Sequence, residues 1–395
     1  MKMKRFVAMA LSCVLAAGLL AGCGDKKEGN QGSADGAVTI KIGGIGPLTG
    51  DLAQYGTATN WGAKVAVEEI NALNGPIKLD FRFEDDTGSV DTAVSAYNSL
   101  KDWAKNSPMV IYGCTTTDPC VAVSSETYAD RYFQLTPSAS SPDVTTGKNN
   151  VFQMCFTDPG QGVAAAEYVK NTGIAAKVGV IYNNGSAYST GMAEAFIAKA
   201  KELGLEVVAT QTYPSDDTTD YNVQVNACKD AGAELVFLPI YYTPASLIMT
   251  QAKQSGYDPI FFGGDGMDGM LAVEGFDAGS VEGLLLMTPY NVGDPSTRNT
   301  TFVDRYKKLS GGIEPNQFAA DGYDCMYAIY EACCKLDGIA DMDSAALCDA
   351  LSALFTGGEF KVDGLTGSGM SWLTTGEVSK SPMVVKVQNG SYVDP

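Results

Sequence analysis

From Val38 onward the hydrophobic positions switch between two periods. "VTIKIGGI" (38–45) puts apolar residues at alternate positions, as a half-buried strand does. "GTATNWGAKVAVEEINALNGP" (56–76) repeats them at helical spacing, with Ala66, Ile70 and Leu73 on one face and Gly75-Pro76 as the stop. "IKLDFRFED" returns to alternation, with Ile77, Leu79, Phe81 and Phe83 on one side. The helix "SVDTAVSAYNSLKDWAK", the buried strand "PMVIYGC", a helix near "CVAVSSETYAD" and the short strand "YFQLTP" follow. The rhythm restarts at "KVGVIYN", continues through "STGMAEAFIAKAKELG", "LEVVATQTY", "YNVQVNACKDAG", "AELVFLPIYY" and "PASLIMTQAKQSG", and closes with "PIFFGGDG". Two successive βαβ series predict an α/β protein of two doubly wound, Rossmann-like lobes with parallel sheets.

The segment before Val38 follows neither period. Lys2, Lys4 and Arg5 precede a short apolar run, "FVAMALSCVLAAGLLAG", which ends in Leu20-Ala21-Gly22-Cys23. This resembles a bacterial lipoprotein signal: residues 1–22 would be a leader and Cys23 the lipidated residue. Residues 23–37 read as a flexible polar tether, and acyl chains on Cys23 would anchor the folded part to the membrane from outside the cytoplasm. No other run is long and apolar enough to span a bilayer.

Composition narrows the chemistry. The formal net charge is −19, and losing Lys2, Lys4 and Arg5 with the leader takes it to −22. That acidity argues against nucleic-acid binding. The chain has no histidine, which removes the commonest general base and the commonest metal ligand. Ten cysteines contain no C-x-x-C pair. Cys325, Cys333, Cys334 and Cys348 read as small buried hydrophobes, whereas Cys114 and Cys120 could approach each other.

In doubly wound sheets the turns beyond the strands' carboxyl ends carry the chemistry. Here those turns are "GPLTGDLAQYG", "YGCTTTDPC", "TPSASSP", "YNNGSAYSTG", "PIYYTPA" and "GGDGMDG", rich in hydroxyls, tyrosines and small residues. The first begins like a dinucleotide loop, but Thr49 stands where the third glycine belongs and Pro47 removes an N–H. No Walker loop occurs. "AYSTG" around Ser189 has Ala187 in place of a nucleophile elbow's glycine. Asp85-Asp86 and Asp216-Asp217 read as solvated turn residues. Neither an enzyme nor a cofactor or metal site is expected.

"IGGIGPLTGDLAQYG" with "GAKVAVEEINALNG", then "YGCTTT", "LTPSASSPDV", "FQMCFTDPGQG", "VGVIYNNGSAYSTGM", "FFGGDG" and "FAADGYDCMYA", resembles the leucine/isoleucine/valine-binding protein family, and the match runs along the whole chain after the tether. The resemblance implies a type I periplasmic binding protein: two lobes joined by a three-stranded hinge, closing on a solute. It implies a first lobe of residues 38–157 plus 290–370 and a second of 158–289 plus 371–395. The implied ligand is an amino acid, branched-chain or otherwise apolar or small. Its carboxylate would meet Thr116, Thr117, Ser138, Ala139 and Ser140, and its ammonium Asp265, with Asp268 as the competing acid. Tyr188, Tyr241, Tyr55 and Phe318 would form the walls. The implied partners are an ABC permease and ATPase on separate chains, with the receptor itself a monomer. Gln153 replaces an arginine common in relatives. A receptor for an amide, urea, or a small or aromatic carboxylate is the alternative, and it would leave Asp265 without a purpose.

Overall fold

A computed structural model describes residues 36–395 apart from 216, 217 and 274. The leader, Cys23, most of the tether and the Asp216-Asp217 pair lie outside the described residues. Among those described, β1 (Val38–Gly46), β2 (Ile77–Asp85), β3 (Met109–Gly113), β4 (Gln134–Thr136) and β5 (Val151–Gln153) form an all-parallel sheet in the order β2-β1-β3-β4-β5. Helices α1 (Ala53–Ala72), α2 (Val90–Ala104) and α3 (Thr117–Asp130) make its crossovers.

A second sheet repeats the plan. Strands β6 (Lys177–Asn183), β7 (Glu206–Tyr213), β8 (Leu235–Leu238), β9 (Ile260–Gly263) and β10 (Leu285–Thr288) run parallel in the order β7-β6-β8-β9-β10. The antiparallel β11 (Met383–Gln388) and β12 (Ser391–Val393) extend its edge. Helices α4 (Asp158–Thr172), α5 (Ala187–Leu203), α6 (Asn222–Asp230) and α7 (Tyr242–Gln254) cover it, while α8 (Thr297–Ser310), α9 (Gln317–Cys333) and α10 (Ser344–Thr356) return to the first lobe. Both sheets therefore reverse strand direction of growth beside their first strand, at β1/β3 and at β6/β8. Those two points define where a crevice opens.

The cores follow from the patterns. Ile40, Ile42, Ile77 and Leu79 are buried beneath α1 and α9, as alternation predicts. Gly62 of α1 lies against the backbone of Ala319; a β-carbon there would come within 1.9 Å of that carbonyl oxygen, so only glycine lets the helices approach this closely. The approach seats Phe318 at the cleft. Leu73 departs from expectation: it is the C-cap of α1 and 59% exposed. Cys334 is exposed too, whereas Cys325, Cys333 and Cys348 are buried.

The C-terminal tail divides differently from the reading above. Met370, Trp372 and Val378 belong to the first lobe's core, and the Trp372 indole donates to the Gln153 carbonyl at 2.8 Å. Only from β11 onward does the tail join the second sheet. Amphipathic spacing could not show this, because residues 370–378 form isolated bridges (Val362 with Met370, Trp372 with Val378) rather than a periodic element. Asp86 is also a correction. It is fully buried and accepts from the Gly88 N–H at 2.8 Å, while Asp85 binds Leu48 N and Thr49 Oγ1, so the pair braces the turn after β1.

Candidate functional site

Where the two switch points face each other, Tyr55, Thr115, Thr116, Thr117, Ser138, Tyr188, Tyr241, Asp265, Gly266 and Phe318 enclose a cavity of ≈ 10 Å³. That is room for about one water. A larger solute enters only if the lobes part.

The first-lobe wall is made of hydroxyls at a helix start. Thr116 holds the N-cap position of α3, yet its hydroxyl makes no capping bond and has no partner within the protein. It is buried, and its polar atom is available to the cavity. Ser138 is committed differently: its Oγ donates to the Thr115 carbonyl at 2.6 Å, which ties the two turns together. Thr136 Oγ1 receives the N–H groups of Ser138 (3.3 Å) and Ala139 (3.0 Å). Helices α3, α5, α7 and α9 all begin at this cavity, through Thr117, Tyr188, the N-cap Tyr241 and Phe318. Their N-terminal partial charges favour an anionic group.

The second-lobe wall is acidic and aromatic. Asp265, in the turn after β9, accepts a hydrogen bond from Tyr188 OH at 2.9 Å, and its own N–H donates to Gln161 Oε1 at 2.9 Å. Gly266 N donates to the same Tyr188 oxygen at 3.0 Å; a β-carbon on Gly266 would come within 2.5 Å of it. Burial pushes the Asp265 carboxyl up to about 6, with the nearby Gln161 amide and the bond from the Tyr188 hydroxyl opposing. No lysine or arginine pairs with it among the described residues.

Aromatic rings close the space between. Tyr188 and Tyr241 stack at 4.9 Å and 11°. Tyr55 stands edge-on to Phe318 at 4.9 Å and reaches across the cleft, its hydroxyl donating to the Gly266 carbonyl at 2.5 Å and accepting from Tyr242 N at 3.4 Å. Burial raises the Tyr55 and Tyr188 hydroxyls well above the ordinary tyrosine range, so both stay neutral donors.

Eight of the ten residues singled out from sequence line this one cavity: Tyr55, Thr116, Thr117, Ser138, Tyr188, Tyr241, Asp265 and Phe318. Ala139 and Ser140 stand behind it. Ala139 is buried in the first lobe's core, its carbonyl receiving Gln153 Nε2 at 2.7 Å. Ser140 passes its carbonyl to Asp158 N at 3.0 Å. Asp268 is turned elsewhere, accepting from Gln317 N at 3.0 Å and Gly269 N at 2.7 Å. Sequence reading missed Thr115 and Gly266 as lining residues. Gln153, noted from the sequence as standing in place of an arginine, holds the 139–141 backbone with bonds to Ala139 O and Ser141 O. Only the neighbouring hydroxyl run pointed to Thr115. Cys114 and Cys120 are buried free thiols.

The sequence profile of the periplasmic binding protein family matches residues 39–391, and the chain belongs to this family. It is 33% identical over 319 residues, 79% of this chain and 83% of the relative, to Leu/Ile/Val-binding protein homolog 3 of Brucella melitensis. It is 28% identical over 277 residues (69% and 72%) to the leucine-, isoleucine-, valine-, threonine- and alanine-binding protein of Pseudomonas aeruginosa. The isoleucine complex of a branched-chain amino acid transporter substrate-binding protein from Streptococcus pneumoniae superposes with a TM-score of 0.78 at 26% identity, covering 91% of this chain and 100% of that one. A benzoate-bound solute-binding protein of R. palustris shares the fold at 17% identity and a TM-score of 0.76, covering 91% and 95%. The fold is therefore the type I periplasmic binding fold, and the family one of extracytoplasmic solute receptors rather than enzymes.

Proposed function

We propose that the protein is the substrate-binding component of an ABC amino-acid importer, and that it takes an α-amino acid with an apolar or small side chain between its lobes. One observation carries the reading: Asp265 is fully buried without a cation, directly across a small cavity from the free Thr116 hydroxyl and the start of α3. A zwitterion fits those two ends. Its carboxylate takes Thr116, Thr117 and the Ser138–Ser140 turn; its ammonium takes Asp265 and the tyrosine hydroxyl beside it. Tyr55, Tyr241 and Phe318 receive the side chain. The names of the Brucella, Pseudomonas and Streptococcus relatives support this class of ligand.

Because the contacts are divided between lobes, the ligand binds the closed form selectively and shifts the hinge equilibrium toward it. Inverting a 1:99 population takes roughly 5.5 kcal/mol of preference for the closed form. A permease and its ATPase on separate chains then receive the closed monomer, held at the membrane by lipid on Cys23. Calorimetry of the protein lacking the leader tests the ligand class: isoleucine, leucine, valine, threonine and alanine against the matching carboxylic acids without the amino group. The expected result is binding of at least one amino acid and at least tenfold weaker binding of its deaminated analogue. Equal or tighter binding of the acid, or of benzoate, would overturn the zwitterion reading in favour of a carboxylate receptor.

A further inference from the structure

A second aspartate stands beside this site without a role. Asp158 is the first residue of α4, immediately beyond the β5–α4 crossover, and it is fully buried. Neither carboxyl oxygen makes a hydrogen bond within the protein. Its backbone N–H donates to the Ser140 carbonyl at 3.0 Å, and the Ser140 hydroxyl faces the carboxyl without closing a bond. The hydroxyls of Ser140 and Thr116 and the Gln161 amide nitrogen are likewise buried and unpartnered. A buried polar group left unpaired costs about 1–3 kcal/mol. Thr116 lines the cavity, Gln161 adjoins it through the Asp265 N–H, and Ser140 and Asp158 are joined by their backbone bond, so unpaired polar groups lie at and just behind the site's wall.

The ionisable groups bearing on Asp158 are Asp265 from the turn after β9, Asp118 from α3, Asp143 from the turn at 142–144, Tyr188 from α5 and Cys155 from the crossover. None is a cation. Burial first, then the Asp265 charge, raises the Asp158 carboxyl well above the usual carboxylate range.

We propose that Asp158 is a positioning residue of the binding site: it keeps its proton, donates it to Ser140 Oγ, and so turns the Ser140 hydrogen toward the ligand carboxylate. An ionised Asp158 would instead accept that hydrogen and set a second negative charge beside the ligand's own. The idea rests on the amino-acid reading of the cavity, and it gives the two buried acids opposite tasks. Asp265 serves as an anion for the ammonium; Asp158 serves as a neutral donor behind the carboxylate.

Three variants of the protein lacking the leader test it by calorimetry with isoleucine, or with whichever amino acid wild type binds best. Asp158→Asn keeps a donor in the same place and should bind within about threefold of wild type. Asp158→Ala should bind at least tenfold more weakly. Ser140→Ala should lose affinity similarly, and adding Asp158→Ala to it should cost little more. Loss of tenfold or more in Asp158→Asn would overturn the proposal, since it would mean the charge is needed, and so would wild-type binding by Asp158→Ala. Infrared difference spectra of wild type labelled at aspartate carboxyl carbons, minus Asp158→Asn, give a reading independent of affinity and folding yield. A carboxylic-acid C=O stretch assigned to Asp158 at pH 7.5, with or without ligand, supports the neutral donor; a carboxylate pair of bands overturns it. If wild type binds no amino acid at all, the ligand class fails while the infrared result still decides the state of Asp158.

Discussion

Two regions of this molecule each bury an aspartate completely, and they treat it in opposite ways. Lys380 lies on the segment between Val378 and β11, which passes from the first lobe's core to the second sheet as part of the hinge. It meets Asp321 of α9 at 2.7 Å, both side chains almost wholly shielded, and its ammonium also donates to Thr366 Oγ1 at 2.6 Å. Burial still lifts Asp321 to about 7, with Lys380 the main opposing influence. Nearby Asp324 accepts from Leu365 N, Thr366 N and Thr366 Oγ1. Every charge there has a partner inside the chain. In the cleft, Asp265 has a tyrosine hydroxyl and backbone or amide bonds but no cation. A buried carboxylate without a counter-charge destabilises the protein that carries it. The hinge pair is thus structure completed within the fold, and the cleft acid is interaction capacity held for a solute.

The contrast can be broken from either side. The largest expected effect is on the hinge: Lys380→Met leaves Asp321 buried and alone, which costs about 3–5 kcal/mol of folding stability. Urea unfolding followed by fluorescence should show a lower midpoint with an unchanged slope. A loss under about 1 kcal/mol would mean the hinge charge is solvated after all. Asp265→Ala comes next and reverses the pattern. Hydrogen bonds to charged groups contribute about 1.5–3 kcal/mol, so amino-acid affinity should fall roughly 10- to 150-fold. The ligand-free stability of the same variant should hold or rise.

The third effect is a pH dependence. Burial raises the Asp265 carboxyl to about 6 in the folded chain against 3.8 for a free aspartate side chain, so between those values the native chain binds more protons than the unfolded one. Its contribution to ligand-free stability is therefore greatest below the unfolded value and is lost as pH rises toward 6. Ligand binding runs the other way, because an ammonium needs the ionised acid. Affinity should decline as pH falls below about 6, approaching tenfold per unit, and Asp265→Asn should flatten that profile in titrations from pH 7.5 to 4.5. Thr116→Val is smaller: about 1 ± 0.5 kcal/mol of affinity with unaltered thermal stability, since its hydroxyl caps nothing. Smallest is Tyr55→Phe, which removes the bond to the Gly266 carbonyl across the cleft. Small-angle scattering of the ligand-free variant should shift modestly toward the open form.

Much of the site was legible because it sits in turns after strands, and the turns carry their chemistry in short, readable runs. The turns "GGDG" and "CTTT" could be found that way, and the family resemblance then singled out Asp265 and the threonines within them. The choice between Asp265 and Asp268 could not, since both are buried acids three residues apart. Only the direction of each side chain separates them: Asp268 is used up at the start of α9, and Asp265 faces the cavity. That Ala139 and Ser140 stand one layer behind the cavity wall was illegible for the same reason. Adjacent positions in an irregular turn point to different sides, and no periodicity says which.

Hydrophobic period, helix stops and the order of turns determine by themselves that this chain makes two doubly wound lobes, because each βαβ unit is local and its burial pattern is written every two or four residues. Which buried charges are paired was decided only by tertiary structure. Lys380 lies 59 residues from Asp321, and Asp158 and Asp265 are more than 100 apart. Their partners, or the lack of them, arise when distant segments converge, at the hinge for Asp321 and in the cleft for Asp265. Electrostatic pairing depends on distance and desolvation in space, and neither quantity is recorded in the spacing of residues along a chain.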